Sequence, residues 1–359
     1  MIAAPDEVGN TSRTPGTKVL ARRRHLTRLV WSTALVTLVL GASPAAADPP
    51  RPTDYRSEIV AISPSVPGLE ARIIGGDSFI ELTTSGHDVV VLGYDREPYL
   101  HFDADGTVRE NVRSPARWLN LDRYSESSVP PEADASAPPE WEPVGSGGRY
   151  AWHDHRTHWM VEVPPFGLGP GDQILDGVIP LVVDGEAVEI SVRSVWMPGP
   201  SWVPWLLAAV VAAVAGAIVV AFGARRPRVG LGLVTAAAAM ATIVGVWQTR
   251  SVPSETGPPI THWALPVSAV VIGVAALVGP WSAFTRRGAA LVVAVQLAVW
   301  TVLRLDVLDH AILPTSAPFW LDRVVTAVTG VWAVIGAYAA IVAIVRSMYA
   351  APAGGPTPA

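Results

Sequence analysis

The residues with the most chemical potential lie in one nine-residue run, Trp152-His153-Asp154-His155-Arg156-Thr157-His158-Trp159-Met160. It holds three imidazoles, a carboxylate and a thioether. Neutral imidazole is the commonest side-chain metal ligand. His together with Met suits copper, the thioether favouring the cuprous ion. The chain has no cysteine, which excludes a blue-copper centre of the usual kind, thiolate zinc sites, iron–sulfur clusters and disulfides. Spacing imposes a condition. On an unbroken strand alternate residues share a face, so His153 and His155 point one way and His158 and Met160 the other. A single ion then takes only the first pair. A bulge or turn near Arg156-Thr157 would gather them. Asp154, opposite His153, can then serve as acceptor only for a His on a neighbouring strand. The competing reading is packing: Trp152, Trp159 and Met160 in a core, with Asp154 and Arg156 in an ion pair.

Other candidates are sparser. Of the eight His, His25 precedes the domains, while His262 and His310 fall in two loops between apolar segments. These two are candidate acceptors for a metal handed on from the run. His101 follows Tyr99 on an expected strand, and His87, between Gly86 and Asp88, reads as a turn residue. There is no Gly-x-Ser-x-Gly elbow, no His-Glu-x-x-His and no phosphate-cradling Gly loop. Gly75-Gly76-Asp77-Ser78 reads as a turn, and Asp103/Asp105 as part of a hairpin rather than an acid–base pair. The reading is therefore of a non-enzymatic protein. Arg304, Asp306, Asp309 and His310 end an apolar segment where charge can reach the interface. Arg304 can pair loosely with Asp306, or with Asp322. Gln296 is the clearest polar residue inside a segment, thin support for ion or metal transport.

The elements that must position these residues follow from charge. Only 16% of the chain is charged and 50% is hydrophobic, against about 25% charged in soluble domains. The charge is segregated: residues 48–200 carry −14, the flanking 1–47 and 201–359 carry +4 and +5. Twenty-five of the 26 bases are Arg, Lys18 being the exception, and no basic patch with interleaved aromatics points to nucleic acid. Residues 1–47 read as a disordered n-region and export signal. Arg22, Arg23, Arg24 and Arg28 are followed by apolar Leu29 to Gly41 and by Ala45-Ala46-Ala47.

The last 160 or so residues contain five apolar spans: Trp202–Phe222, Val229–Trp247, Leu265–Phe284, Gly288–Leu303 continuing toward Leu308, and Val324–Val345. Each suits a transmembrane helix, so residues 201–346 read as an all-α bundle in the lipid bilayer. Arg225, Arg226, Arg228, Arg286, Arg287 and Arg346 lie at one end, and Arg250, Arg304 and Arg323 at the other. The positive-inside rule then places 48–200 outside a cell membrane and the tail, 347–359, in the cytoplasm as a disordered segment. Trp202, Trp205, Trp247, Trp263, Trp300 and Trp320 cluster at the expected outer interface. Ala212 and Gly216, four apart, let helices approach closely.

Between signal and spans lie a linker, 48–57, and an expected all-β domain, 58–200. Short Val- and Ile-rich runs (Ile59–Ile62, Ala71–Ile74, Phe79–Leu82, Val89–Leu92, Tyr99–Phe102, Thr107–Arg109, Pro180–Val183, Ala187–Val192) are bounded by Gly, Pro and Asp. Asp184-Gly185 and Asp105-Gly106 are hairpin signals. Val188, Ile190 and Val192 alternate with polar residues, as on a half-buried strand. About eight such strands argue an immunoglobulin-like β-sandwich. The stretch 129–143 holds five prolines and reads as a long exposed loop, a surface for an envelope partner.

The runs Gly93-Tyr94-Asp95-Arg96-Glu97-Pro98-Tyr99-Leu100-His101-Phe102, Ser114-Pro115-Ala116 and Trp152–Met160 resemble an uncharacterised family of exported multi-pass membrane proteins from high-GC bacteria. The resemblance implies the same architecture and brings no activity. Its members often carry Gly where Arg96 stands and Arg where His101 stands, which makes His101 a poor shared ligand. Two functions stand: an envelope protein whose exported domain binds a transition metal, foremost copper, through His153, His155, His158 and Met160; and an envelope scaffold that binds no metal.

Overall fold

The structure, a computed structural model, describes residues 49–124, 126–223, 226–255 and 260–349. The expected export signal and residues 350–359 of the tail lie outside them. Ten strands come first: β1 (Tyr55–Ser63), β2 (Leu69–Ile74), β3 (Phe79–Thr84), β4 (Val89–Leu92), β5 (Pro98–Phe102), β6 (Val108–Asn111), β7 (Trp141–Gly145), β8 (Arg149–Trp152), β9 (Gln173–Val183) and β10 (Glu186–Trp196). They form two antiparallel sheets, ordered β1-β10-β9-β4-β5-β6-β7 and β2-β3-β8. Both sheets face one core. Ile80, Leu82 and Trp152 come from the small sheet, and Val91, Leu100, Phe102, Ile179, Leu181 and Ile190 from the large one. Burying each such Val, Leu or Ile contributes roughly 1.5–3 kcal/mol. The allotment of seven and three strands is more uneven than the four and three of an immunoglobulin constant-type domain.

The alternation in β10 is realised: Val188, Ile190 and Val192 are buried while Glu189 and Arg193 are exposed. Its hairpin with β9 turns through Asp184 (φ 50) and Gly185 (φ 88), the two left-handed residues that a type I′ turn needs. His87 is tied to that turn, its Nδ1 2.6 Å from the Asp184 carboxylate. Arg96 also has positive φ, 63, a conformation that favours Gly.

Three differences from the sequence reading have local causes. Strand β1 begins at Tyr55, inside the expected linker. The Pro-rich stretch ends at Glu140, because Trp141–Gly145 forms edge strand β7. Pro143 is tolerated there, since an edge strand leaves one row of donors unused. The loop itself is folded against Arg113, whose carbonyl accepts from the Asp134 N–H at 2.8 Å. A short helix, α1 (Pro115–Leu119), is capped by the Ser114 hydroxyl and opened by Pro115.

Five long helices follow: α2 (Val203–Gly223), α3 (Pro227–Ser251), α4 (Thr261–Val278), α5 (Ala283–Val302) and α6 (Phe319–Tyr349), with a 3-10 turn at Leu305–Leu308. All five are long and apolar enough to cross a membrane. Helix α5 starts at Ala283 rather than Gly288 because the Ser282 hydroxyl accepts from the Thr285 N–H. Helix α2 buries only Ala212, Gly216 and Gly223. The small pair meets α6, where the Trp332 indole N–H donates to the Ala212 carbonyl at 2.9 Å. Trp300 departs from the expected interfacial belt: it is fully buried, its N–H donating to the His262 carbonyl.

Arg304, also buried, donates to both Asp322 oxygens, at 2.6 and 2.8 Å, and to Gln248. Of the two carboxylates weighed for it, Asp322 is the partner. Gln296 donates to Ser268 at 2.9 Å. The β domain rests on the connection between α5 and α6. Thr53 and Ile312 exchange backbone hydrogen bonds of 3.0 and 2.8 Å, and Asp54 accepts from the Ala311 N–H. Arg323 holds that connection from below through the carbonyls of Val307, His310 and Ala311.

Candidate metal centre

Strand β8 ends at Trp152, and the chain then turns through His155-Arg156 instead of continuing extended. Asp154 drives the turn. Its carboxylate accepts from the Trp152 indole N–H (3.0 Å), the Arg156 backbone N–H (3.0 Å) and the Arg156 guanidinium (2.8 and 2.7 Å). Its carbonyl takes the Thr157 N–H and hydroxyl, at 2.9 and 2.7 Å. Burial pushes the Asp154 carboxyl upward, but the Arg156 charge and these donors outweigh it and hold the group below the usual carboxylate range. The Asp154–Arg156 pair of the packing reading therefore exists. It also makes the turn that the metal reading required.

The turn gathers His153, His155 and His158, all buried, with one ring nitrogen of each within 4.8 Å of the others. Ring centroids are 4.5 Å apart for His153 and His158, 5.3 Å for His155 and His158, and 5.9 Å for His153 and His155. Around an ion with about 2.0–2.1 Å bonds, three tetrahedral nitrogens sit roughly 3.4 Å apart. Binding an ion therefore requires the rings to turn inward.

The surrounding contacts select the nitrogens. His155 Nε2 donates to the Asp122 carbonyl at 2.9 Å, which leaves its lone pair on Nδ1. His158 Nδ1 is 3.1 Å from the Trp159 carbonyl, and its buried Nε2 has no hydrogen-bond partner. Neither nitrogen of His153 makes a well-formed hydrogen bond. The Tyr94 ring stacks on His155, and its hydroxyl accepts the His155 backbone N–H at 3.0 Å. Phe79 packs against His153.

Two of the imidazoles, His153 and His158, are held neutral. Burial lowers His158 to about 3, helped by the nearby Arg123 charge. Burial, then neighbouring His158 and Arg123, pushes His153 well below its ordinary value, with the Ser78 backbone a weak opposing influence. Neutral imidazole is the ligating form. Arg123 itself is consumed by Asp77, at 3.0 and 2.5 Å. Two Arg–Asp pairs thus flank the triad and bring it no net charge. Sequence reasoning missed Asp77, Arg123, Asp122 and Tyr94. Asp77 was visible only as part of a Gly-Gly-Asp-Ser turn, which it is, with Gly75 and Gly76 at φ 71 and 86.

The other candidates are placed as follows. Met160 is 36% exposed, two residues beyond the triad. His310 lines the same cavity of about 490 Å³ as His153, together with Arg123, Trp159, Glu162 and Asp306. That cavity runs between the β domain and the α5–α6 connection and reaches the triad on its His153 side. His262, in the first turn of α4, does not line it. His101 belongs to a separate surface cluster with Asp88 and Asp103.

Close packing also protects the turn. A Cβ on Gly177 of β9 would sit 1.9 Å from the Arg156 carbonyl oxygen. Gly177→Ala is expected to push the histidine turn off the sheet at a cost of about 1–3 kcal/mol. The thermal unfolding midpoint reads it. An unchanged midpoint would show that the turn is not pinned there.

Fold and site together define a two-sheet β domain joined to five apolar helices, with a buried histidine triad that can hold a metal ion. Comparison with family models, with curated proteins and with solved structures finds no match.

Proposed function

We propose that this is a cell-envelope membrane protein whose exported, immunoglobulin-like domain binds a transition metal through His153, His155 and His158. One observation carries the reading: three buried imidazoles converge, and His153 and His158 bury nitrogens with no hydrogen-bond partner. Such groups cost roughly 1–3 kcal/mol each when unsatisfied, and packing alone does not compensate that; an ion does. Copper is the first candidate. Imidazole is a ligand that suits copper. A charge-neutral buried site also favours a monocation, because desolvation cost rises steeply with charge. The cavity offers access, with His310 and Asp306 placed to pass an ion toward or from His153.

Sidedness follows from charge. Arg226, Arg228, Arg287 and Arg346 sit at the helix ends remote from the β domain, whereas of the three at the near end Arg304 and Arg323 are tied up in buried contacts and Arg250 alone is exposed. The β domain then faces outward under the positive-inside rule.

The test is titration of the full-length protein in detergent with cuprous and zinc ions against a competing chelator. One equivalent bound at micromolar affinity or tighter is expected, with binding lost in His153→Ala/His155→Ala. Stoichiometric binding that survives the double substitution would overturn the site. No binding by the native protein would favour the scaffold reading.

A further inference from the structure

At the end of the bundle remote from the β domain, a groove of about 500 Å³ opens between α2, α3, α5 and α6. Its rim carries three cations from three separate elements: Arg226 before α3, Arg287 on α5 and Arg346 on α6. Among the described residues none of the three side chains has an ion pair or hydrogen bond, in contrast to Arg286, next to Arg287, which caps the carbonyls of Ala276, Gly279 and Trp281. Among the described residues no carboxylate is nearby. The acidic residues after position 200 are Glu255, Asp306, Asp309 and Asp322, all at the opposite end of the bundle. The rim is therefore uncompensated positive charge at a membrane-facing surface.

The depth of the groove matches a specific occupant. Its wall on α6 runs from Arg346 back through Ala343 and Ala340 to Gly336. Those eleven residues span about 15 Å of helix, roughly the hydrocarbon thickness of one leaflet. The lining below the rim is mostly aliphatic, with Ala290 and Gly230 opposite α6 and Tyr338 the one aromatic side chain. A charged head thus meets three guanidiniums while an alkyl chain lies along α6. We propose that this groove binds an anionic phospholipid of the adjoining leaflet, its phosphate held by Arg226, Arg287 and Arg346 and one acyl chain seated between α3 and α6. Basic pockets between transmembrane helices recognise head groups in this way. The site is independent of the histidine triad.

The test uses the full-length protein in detergent, with lipid retention and thermal midpoint as readouts. Phosphatidylglycerol and cardiolipin are the anionic probes, phosphatidylcholine the zwitterionic one, and inorganic phosphate the head-group control. Retention of anionic lipid is expected, with a raised midpoint that falls with added salt. Phosphatidylcholine and phosphate alone should produce neither. Each arginine near the surface contributes about fivefold in affinity, so Arg226→Gln/Arg287→Gln/Arg346→Gln should weaken retention about a hundredfold. Ala343→Phe, which fills the groove and leaves the charges, should abolish it. If the triple variant is unstable, Arg346→Gln alone, at an exposed position, should still weaken retention measurably. Equal retention of phosphatidylcholine, the same shift from phosphate alone, or undiminished retention in the Arg346→Gln and Ala343→Phe variants would overturn the proposal.

Discussion

Replacing Arg304 with alanine is expected to destabilise the detergent-solubilised protein by roughly 3–5 kcal/mol, the cost of stranding one member of a buried ion pair. The side chains of Arg304 and Asp322 are each 1% exposed, and the guanidinium meets both carboxylate oxygens. It also donates to Gln248 and lies 5.0 Å from the Trp300 ring centre. Without it, Asp322 is a buried anion with no cation and Gln248 loses its donor. Removing both charges with shape kept, as in Arg304→Met/Asp322→Leu, should recover most of the loss, because an apolar replacement of a buried pair is often close to neutral. The double-mutant cycle therefore separates a stranded charge from lost packing. A single variant within about 1 kcal/mol of native, or a double variant as unstable as the single, would contradict the account.

The second large effect is acid sensitivity of the metal-free protein. Burial, chiefly, depresses His158 to about 3 and pushes His153 well below its ordinary value. In the unfolded chain both titrate near 6.5. Between these limits the unfolded state binds more protons, so stability rises with pH. The stabilisation is fully present above about pH 6.5 and is lost as pH falls toward 3. For His158 alone the full window is worth on the order of 5 kcal/mol. In chelator-treated protein the unfolding midpoint should fall steadily from pH 7 to pH 4, and His153→Phe/His158→Leu should flatten that slope. A midpoint that is flat or rises on acidification would mean that the imidazoles are not buried neutral.

Much of the architecture was legible because lipid and β-pairing each leave a periodic signature. The five apolar spans are all helices. Asp184-Gly185 turns the hairpin it signalled, and β10 alternates as read. What escaped were elements whose sequence signal is short or mixed. Strand β7 is five residues long and contains Pro143, so only its position at a sheet edge allows it. Strand β8 is four residues and leads straight into the histidine run.

The site was legible as composition and only conditionally as geometry. Three His in six residues suggested a metal, but strand periodicity argued against convergence. The deciding contact is local in sequence: Asp154 bonding the backbone and guanidinium of Arg156. In the sequence that pair competes with a metal site; in the fold it is the device that gathers the three imidazoles. The long-range supports, Asp77 with Arg123 and Asp122 with His155, join loops far apart along the chain and leave no spacing to read.

X-ray absorption at the copper edge of the loaded full-length protein reads what lies between the three imidazoles. Three nitrogen scatterers at about 2.0 Å, with the outer-shell pattern of imidazole rings and no sulfur, are the expected result. The count should drop by one in His158→Ala. A sulfur shell would place Met160 in the site, and a spectrum indifferent to His158→Ala would place the metal elsewhere; that indifference would contradict the triad as the metal centre.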